Sequence, residues 1–277
     1  MTPLGIDIGG SSMTLLVEHE GEKFSKTIHT GKAYTPDDIK KEMIQFIQPL
    51  PFNIDCIGVA VPGLVDRNQS VVTSDVLPHI SGMDADFLKI NKIATYLIND
   101  VKAALIQETY ANKQMDTIVI MVGTGIAAGM MQNGIYTNGS KGWAGELGSI
   151  PISIGNNIKS LDELASGASI LARLDTDART LNQLLEKNDT HAHQIVESAG
   201  GYLGLGIATM INLFNPEKII LGGGTIQYEG YVDAALDAAE KHTLPALWNA
   251  CTITKSENPK EMVARGAMHY ALLKGMI

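Results

Sequence analysis

The chain has 277 residues, of which 45% are hydrophobic, 18% charged and 5% aromatic, and its net charge is −9. This is enough chain for one large or two medium α/β domains with largely aliphatic cores. The acidic balance leaves no basic stripe for nucleic acid, although helix N-termini, backbone N–H groups and a cation can still hold one nucleotide.

The first element, LGIDIGGSSMTLLV over residues 4–17, reads as strand, tight turn, strand. No leader of basic then apolar residues precedes it, and no membrane-length apolar run follows, so a cytoplasmic protein without a membrane partner is expected. Asp7 ends the first strand. Gly9 and Gly10 permit positive φ and close approach of a ligand, and Ser11, Ser12 and Thr14 add hydroxyls. The same turn reads equally well as an ordinary hairpin. Residues 23–29 suit a third strand, and Thr35-Pro36-Asp37-Asp38 opens a helix with Ile39, Met43, Ile44 and Ile47 on one face. Residues 54–61 form a continuous apolar strand that contains Cys56 and ends in Pro62-Gly63. Residues 66–81 break into polar pieces, as a loop crossing a cleft would, and 84–90 reads as a short helix.

Residues 95–108, TYLINDVKAALIQE, give a buried strand, an Asn99-Asp100 stop and a helix. Asp100 reads either as the helix cap or as an acid outside a strand's carboxyl end, where open α/β sheets place ligands. Residues 118–131, IVIMVGTGIAAGMM, repeat the opening design without repeating its sequence. A strand and an Asn133-Gly134 turn follow the glycines, so a hairpin replaces the helix that a dinucleotide fingerprint needs. Residues 137–148, TNGSKGWAGELG, form a loop carrying Glu146. Helices are expected over 161–174, 180–187 and 191–213, the last with Gly200, Gly201, Gly204 and Gly206 packed against another backbone. His191 and His193 lie two residues apart, off a common helix face, which speaks against a metal site. Residues 218–221 run as a strand into Gly222-Gly223-Gly224, which suits a flat ligand or a plain loop. A helix over 231–242, a strand near 251–254 and a helix over 259–273 complete the chain. Cys56 and Cys251 are isolated, which fits a reducing compartment.

There is no P-loop, Cys-x-x-Cys, His-Glu-x-x-His or Gly-x-Ser-x-Gly pattern. Two glycine hairpins, a triple-glycine turn and a strand-end Asp could instead hold a polyphosphate and take a hydroxyl proton, given Mg²⁺. DIGGSS (7–12), VPG (61–63), IND (98–100), GTG (123–125), GWAGELG (142–148), LDELASG (161–167) and INLFNPEKIILGGG (211–224) occur in the order seen in the ROK family. The chain thus resembles that family of bacterial sugar kinases and sugar-responsive repressors over nearly its whole length, and most resembles its glucokinase and allose-kinase branch.

The resemblance implies an α/β, actin/hexokinase-type (ribonuclease H-like) fold of two domains around a central cleft. The first domain would span 1–113, completed by a helix over 259–277, and the second 114–258. Asp100 matches the catalytic base. Gly63, Asn99, Glu146 and Asp162 match sugar-binding positions, Asp162 being one methylene shorter than the usual Glu. Asp7, Gly9, Gly10 and Ser11 match the first phosphate loop, with Asp7 near Mg²⁺. Gly123, Thr124 and Gly125 match the second, and Gly222, Gly223 and Gly224 match an adenosine contact. ATP, Mg²⁺ and a sugar are the implied ligands, and a homodimer the implied assembly, with the helix from His191 as a packing element.

Three positions depart from the family's pattern. Ser149 replaces a zinc-ligating, sugar-touching His, Lys102 an Asn after the base, and Val76 an Asn of the sugar-side loop. IPISIGNNIKS stands in place of the zinc cysteines, so no zinc is expected. A hexose kinase acting at C6 leads. A kinase of a β-glucoside or aminosugar, and a catalytically degenerate sensor, are the alternatives. A repressor's N-terminal DNA-binding domain is not expected, because the first phosphate loop starts at Asp7.

Overall fold

A computed structural model describes residues 1–67 and 69–275. The chain divides into two compact units: Met1–Lys113 with Thr137–Ala144 and Asn258–Ile277, and Gln114–Tyr136 with Gly145–Glu257.

Unit 1 opens with a meander of β1 (Pro3–Ile8), β2 (Ser12–His19) and β3 (Glu22–His29). Helix α1 (Pro36–Ile47) begins at a capping box in which Thr35 and Asp38 satisfy each other's backbone N–H groups. Its buried stripe is Ile39, Met43 and Phe46, at spacings of four and three. Ile44, expected on that face, is 42% exposed. Strand β4 (Cys56–Val61) is buried along its length, and the short β5 (Leu64–Val65) and β6 (Val71–Thr73) form a ribbon. Residues 84–90 are turns rather than the expected helix. Ser70 bridges Asp84, and although Asp84 Oδ1 accepts from Phe87 N at 2.8 Å as a helix cap would, the turns that follow close three residues apart, Leu88 N to Ala85 O and Lys89 N to Asp86 O. Strand β7 (Ala94–Asn99) leads into α2 (Asp100–Thr109). The sheet order is β3-β2-β1-β4-β7, with β1, β4 and β7 parallel.

Unit 2 repeats that plan. Strands β8 (Thr117–Val122), β9 (Ile126–Gln132) and β10 (Ile135–Tyr136) form its meander, turned at Asn133-Gly134 with φ of 50° and 75°. The segment that takes the place of the zinc cysteines is a hairpin of β11 (Pro151–Ile154) and β12 (Asn157–Ser160), an element the periodicity did not suggest. The single helix expected over 161–174 is two: α3 (Leu161–Ala165) and α4 (Gly167–Leu174). Ser166 is extended between them, and its hydroxyl caps α4. Next come α5 (Ala178–Glu186), the long α6 (Thr190–Phe214) and β13 (Lys218–Gly222). After them lie α7 (Tyr231–His242), an unanticipated α8 (Pro245–Ala250) and β14 (Thr252–Lys255). The sheet order is β10-β9-β8-β13-β14. Gly200 and Gly204 of α6 meet the backbone of α7 in the same chain, where a Cβ would strike the carbonyls of Tyr231 and Ala235.

The chain returns to unit 1 for α9 (Met262–Gly275). This helix lies on β1 and β4 so closely that Gly5 and Gly58 face the carbonyls of Ala264 and Ala267, while Gly266 faces that of Ala103. Among the described residues no helix is long and apolar enough to cross a membrane.

Candidate active site

In unit 1 the parallel pairing sets Asp7 opposite Ala60, Ala60 opposite Ile98 and Val61 opposite Asn99. Asp7 and the Asn99-Asp100 pair therefore lie at the carboxyl ends of β1 and β7, the two parallel strands that flank β4, on the ligand side of such sheets. The helix cap is Asn99, whose Oδ1 accepts from Val101 N and Lys102 N at 3.1 and 3.2 Å. Asn99 Nδ2 donates to Gly63 O at 3.0 Å and to Asp100 Oδ1 at 2.9 Å. Val101 N also donates to Asp100 Oδ1 at 2.8 Å. Asp100 is thus the first helical residue, and its carboxylate is oriented through one oxygen.

Burial, and then the carboxylate of Asp100, push Asp7 up from the usual carboxylate range to about 7. A cation would relieve both causes. Mg²⁺ typically takes one or two carboxylates and completes its shell with water and phosphate oxygens, so Asp7 fits as its protein anchor. Among the described residues no group of three or more His, Cys, Asp or Glu could hold a metal on its own.

The first phosphate-loop candidates turn from β1 to β2. Gly9 N donates to Ser12 O at 2.8 Å, Thr30 Oγ1 donates to Gly9 O at 2.6 Å, and Thr30 N donates to Ser11 O. Neither Gly9 nor Gly10 has positive φ. Gly10 is side-chain-free because a Cβ would sit 2.5 Å from Val76 Cγ1. Gly63 has φ +103°, and a Cβ there would strike the backbone of Thr73 and Ser74. Lys102 Nζ donates to Gly142 O.

In unit 2 three segments converge on one carbonyl. Gly167 N, at the start of α4, donates to Gly123 O at 2.8 Å, and Thr225 Oγ1 donates to the same oxygen at 3.1 Å. This gathers the Gly123-Thr124-Gly125 turn, the α4 N-terminus and the turn of Gly222, Gly223 and Gly224. A Cβ at Gly223 (φ +96°) would collide with Val122, whereas at Gly123 and Gly224 it would meet nothing within 4 Å. Sequence reasoning missed Gly167 and Thr225. The Ser166-Gly167 dipeptide closing LDELASG was the available signal.

Asp162 Oδ1 accepts from Ile126 N at 2.7 Å, and a Cβ at Gly148 would run into its carboxylate. Burial raises its pKa, with the Ile126 bond opposing. It anchors the first residue of β9, just after the Gly123–Gly125 turn, and lies close against Gly148, a role the sequence did not suggest. Glu146 is exposed, ahead of a short 3₁₀ turn over Leu147–Ser149. Ser149 is exposed as well.

These units have the actin/hexokinase-type α/β fold. The ROK glucokinase from Streptomyces griseus, solved in complex with glucose and AMPPNP, superposes with a TM-score of 0.81 at 19% identity, covering 99% of this chain and 100% of that one. The ROK family model matches residues 3–274, and the chain belongs to that family. Its relatives include both repressors and sugar kinases. The xylose repressor of Bacillus spizizenii is 25% identical over 95% of this chain and 75% of its own length. The N-acetylmannosamine kinase of Shigella boydii is 25% identical over 84% of this chain and 86% of its own. The chain spans only 53% of the N-acetylglucosamine-repressor relatives.

Proposed function

We propose that the chain is an ATP- and Mg²⁺-dependent sugar kinase that transfers the γ-phosphoryl group to the C6 hydroxyl of a glucose- or allose-like hexose. The observation that carries this reading is the division of labour at the β7–α2 junction. Asn99 caps the helix, so Asp100 is left beside Asp7 with an oriented carboxylate.

In this reading Asp100 takes the proton from the sugar hydroxyl as its oxygen attacks phosphorus, and ADP departs. Asn99, Gly63, Glu146 and Asp162 bind the sugar. The turns at Gly9, Gly10 and Ser11 and at Gly123, Thr124 and Gly125 bind phosphates through backbone N–H groups, and Gly222–Gly224 receive adenosine. Asp7 anchors Mg²⁺, which when bound neutralises phosphate charge. A cytoplasmic homodimer completes the proposal. A kinase of a β-glucoside or aminosugar is the nearest variant, since Val76 and Ser149 change the sugar side. A sugar sensor without turnover is the second reading, favoured by the repressors among the relatives.

The test is ADP release with MgATP across hexoses, aminosugars and β-glucosides. Turnover on one sugar that disappears in Asp100→Asn supports the kinase. Sugar binding by calorimetry with no ADP release on any of them supports the sensor.

A further inference from the structure

Segment Thr137–Ala144 is flanked in sequence by parts of unit 2 yet belongs to unit 1. Three contacts within that unit hold it. Arg67 Nη2 donates to Gly139 O at 2.9 Å, and Lys102 Nζ donates to Gly142 O. Gly142, with φ +98°, passes so close to Val65 that a Cβ would lie 3.0 Å from its carbonyl oxygen.

Lys102 is the third residue of α2, two after Asp100. A cation in the first turn of a helix opposes the dipole, so local physics disfavours lysine there. Its ammonium is instead taken up by the strap's carbonyl.

We propose that Lys102 is a positioning residue. It latches the Thr137–Ala144 strap to the helix that carries Asp100 and keeps the acceptor side of that site in its binding form. The proposal rests on the kinase reading above.

Trp143 lies in the strap, 37% exposed, and Trp248 is the other tryptophan. In a Trp248→Phe background, acrylamide quenching of Trp143 reads the strap independently of turnover. Lys102→Met should raise the quenching constant about twofold and the KM for a neutral hexose about tenfold, with kcat within about threefold and the ATP KM unchanged. Lys102→Arg should restore both, because a guanidinium still donates to the carbonyl. Loss of the ammonium–carbonyl bond and relief of the dipole penalty oppose each other, so the melting temperature of Lys102→Met should fall by no more than a few degrees, whereas a general packing defect would lower it further. Unchanged quenching, or a looser strap with unchanged acceptor KM, overturns the latch. If the wild type turns over no sugar, the kinase reading fails by itself. Quenching together with calorimetric sugar binding then decides the latch by the same comparison.

Discussion

The turns after β1 and β8 occupy equivalent places in two sheets of the same strand order, yet they are built differently. The β1 end carries two acids: burial, and then the carboxylate of Asp100, hold Asp7 up to about 7. The β8 end presents backbone, gathered by Gly167 and Thr225 around Gly123 O. The glycines differ too. Gly10 and Gly63 lack side chains because neighbouring atoms fill the space, whereas Gly123 faces open space. In the proposed reading, one end moves a proton and holds a cation, and the other lets an anion approach bare N–H groups. Glycines that look alike in sequence therefore answer to different constraints, packing at some positions and access at others.

The most severe test of the charged end is Asp100→Asn. The amide still accepts from Val101 N, so the fold and sugar affinity should survive. Loss of a general base should lower kcat by about 10²–10⁴-fold. Steady-state kinetics alongside a thermal melt check this. A variant within tenfold of wild type would remove Asp100 from the base role.

Alanine at two glycines of unit 2 tests the contrast between packing and access. Gly223→Ala forces a Cβ into Val122 at positive φ, and should destabilise the fold by about 1–3 kcal/mol or more. Gly123→Ala meets no atom within 4 Å. Its stability should stay within about 0.5 kcal/mol of wild type, while the ATP KM rises. Urea unfolding and nucleotide kinetics separate the two. Equal destabilisation would mean that Gly123 is a packing glycine after all.

Much of this architecture was legible because it depends on local chemistry. The Thr35–Asp38 box, the Asn133-Gly134 turn and the strand–glycine–strand repeats each carry their own signal, and the structure places them as read. Features decided by contacts distant in sequence were not legible. Whether Gly10 serves a ligand or Val76 depends on a residue 66 positions away. The cap at Asn99 turns on which of two adjacent polar residues accepts from Lys102 N, and the break at Ser166 on whether a lone serine caps a new helix or sits inside one; composition decides neither. Asp162 was noticed as an acid, but its bond to Ile126 N emerges only in the folded unit.

Asp162 can be dissected by size and charge. Asp162→Ala leaves the Ile126 N–H without its acceptor and should cost about 1–3 kcal/mol. Asp162→Asn can still accept that bond through its carbonyl oxygen, so stability should fall by no more than about 0.5 kcal/mol. If the carboxylate also holds a sugar hydroxyl, Asp162→Asn should lose acceptor affinity while the ATP KM is unchanged. A variant that is stable and fully active would confine Asp162 to anchoring β9.

A further contrast lies in the pH dependence of stability, and it probes the charged end without requiring turnover. Burial, and then the Asp100 carboxylate, raise the native pKa of Asp7 from the usual carboxylate range to about 7. The folded state therefore holds that proton more tightly than the unfolded chain does. Its stabilising contribution is complete below about pH 4 and is lost as pH rises through about 7. Asn in place of Asp cannot ionise, so Asp7→Asn escapes this loss. The melting temperature of Asp7→Asn minus that of wild type should grow between about pH 4 and 7 and level off above, reaching about 10 degrees. Saturating Mg²⁺ should narrow the gap at pH 8 by stabilising only the wild-type carboxylate. A difference flat with pH would show that Asp7 titrates normally and that the two carboxylates do not feel each other.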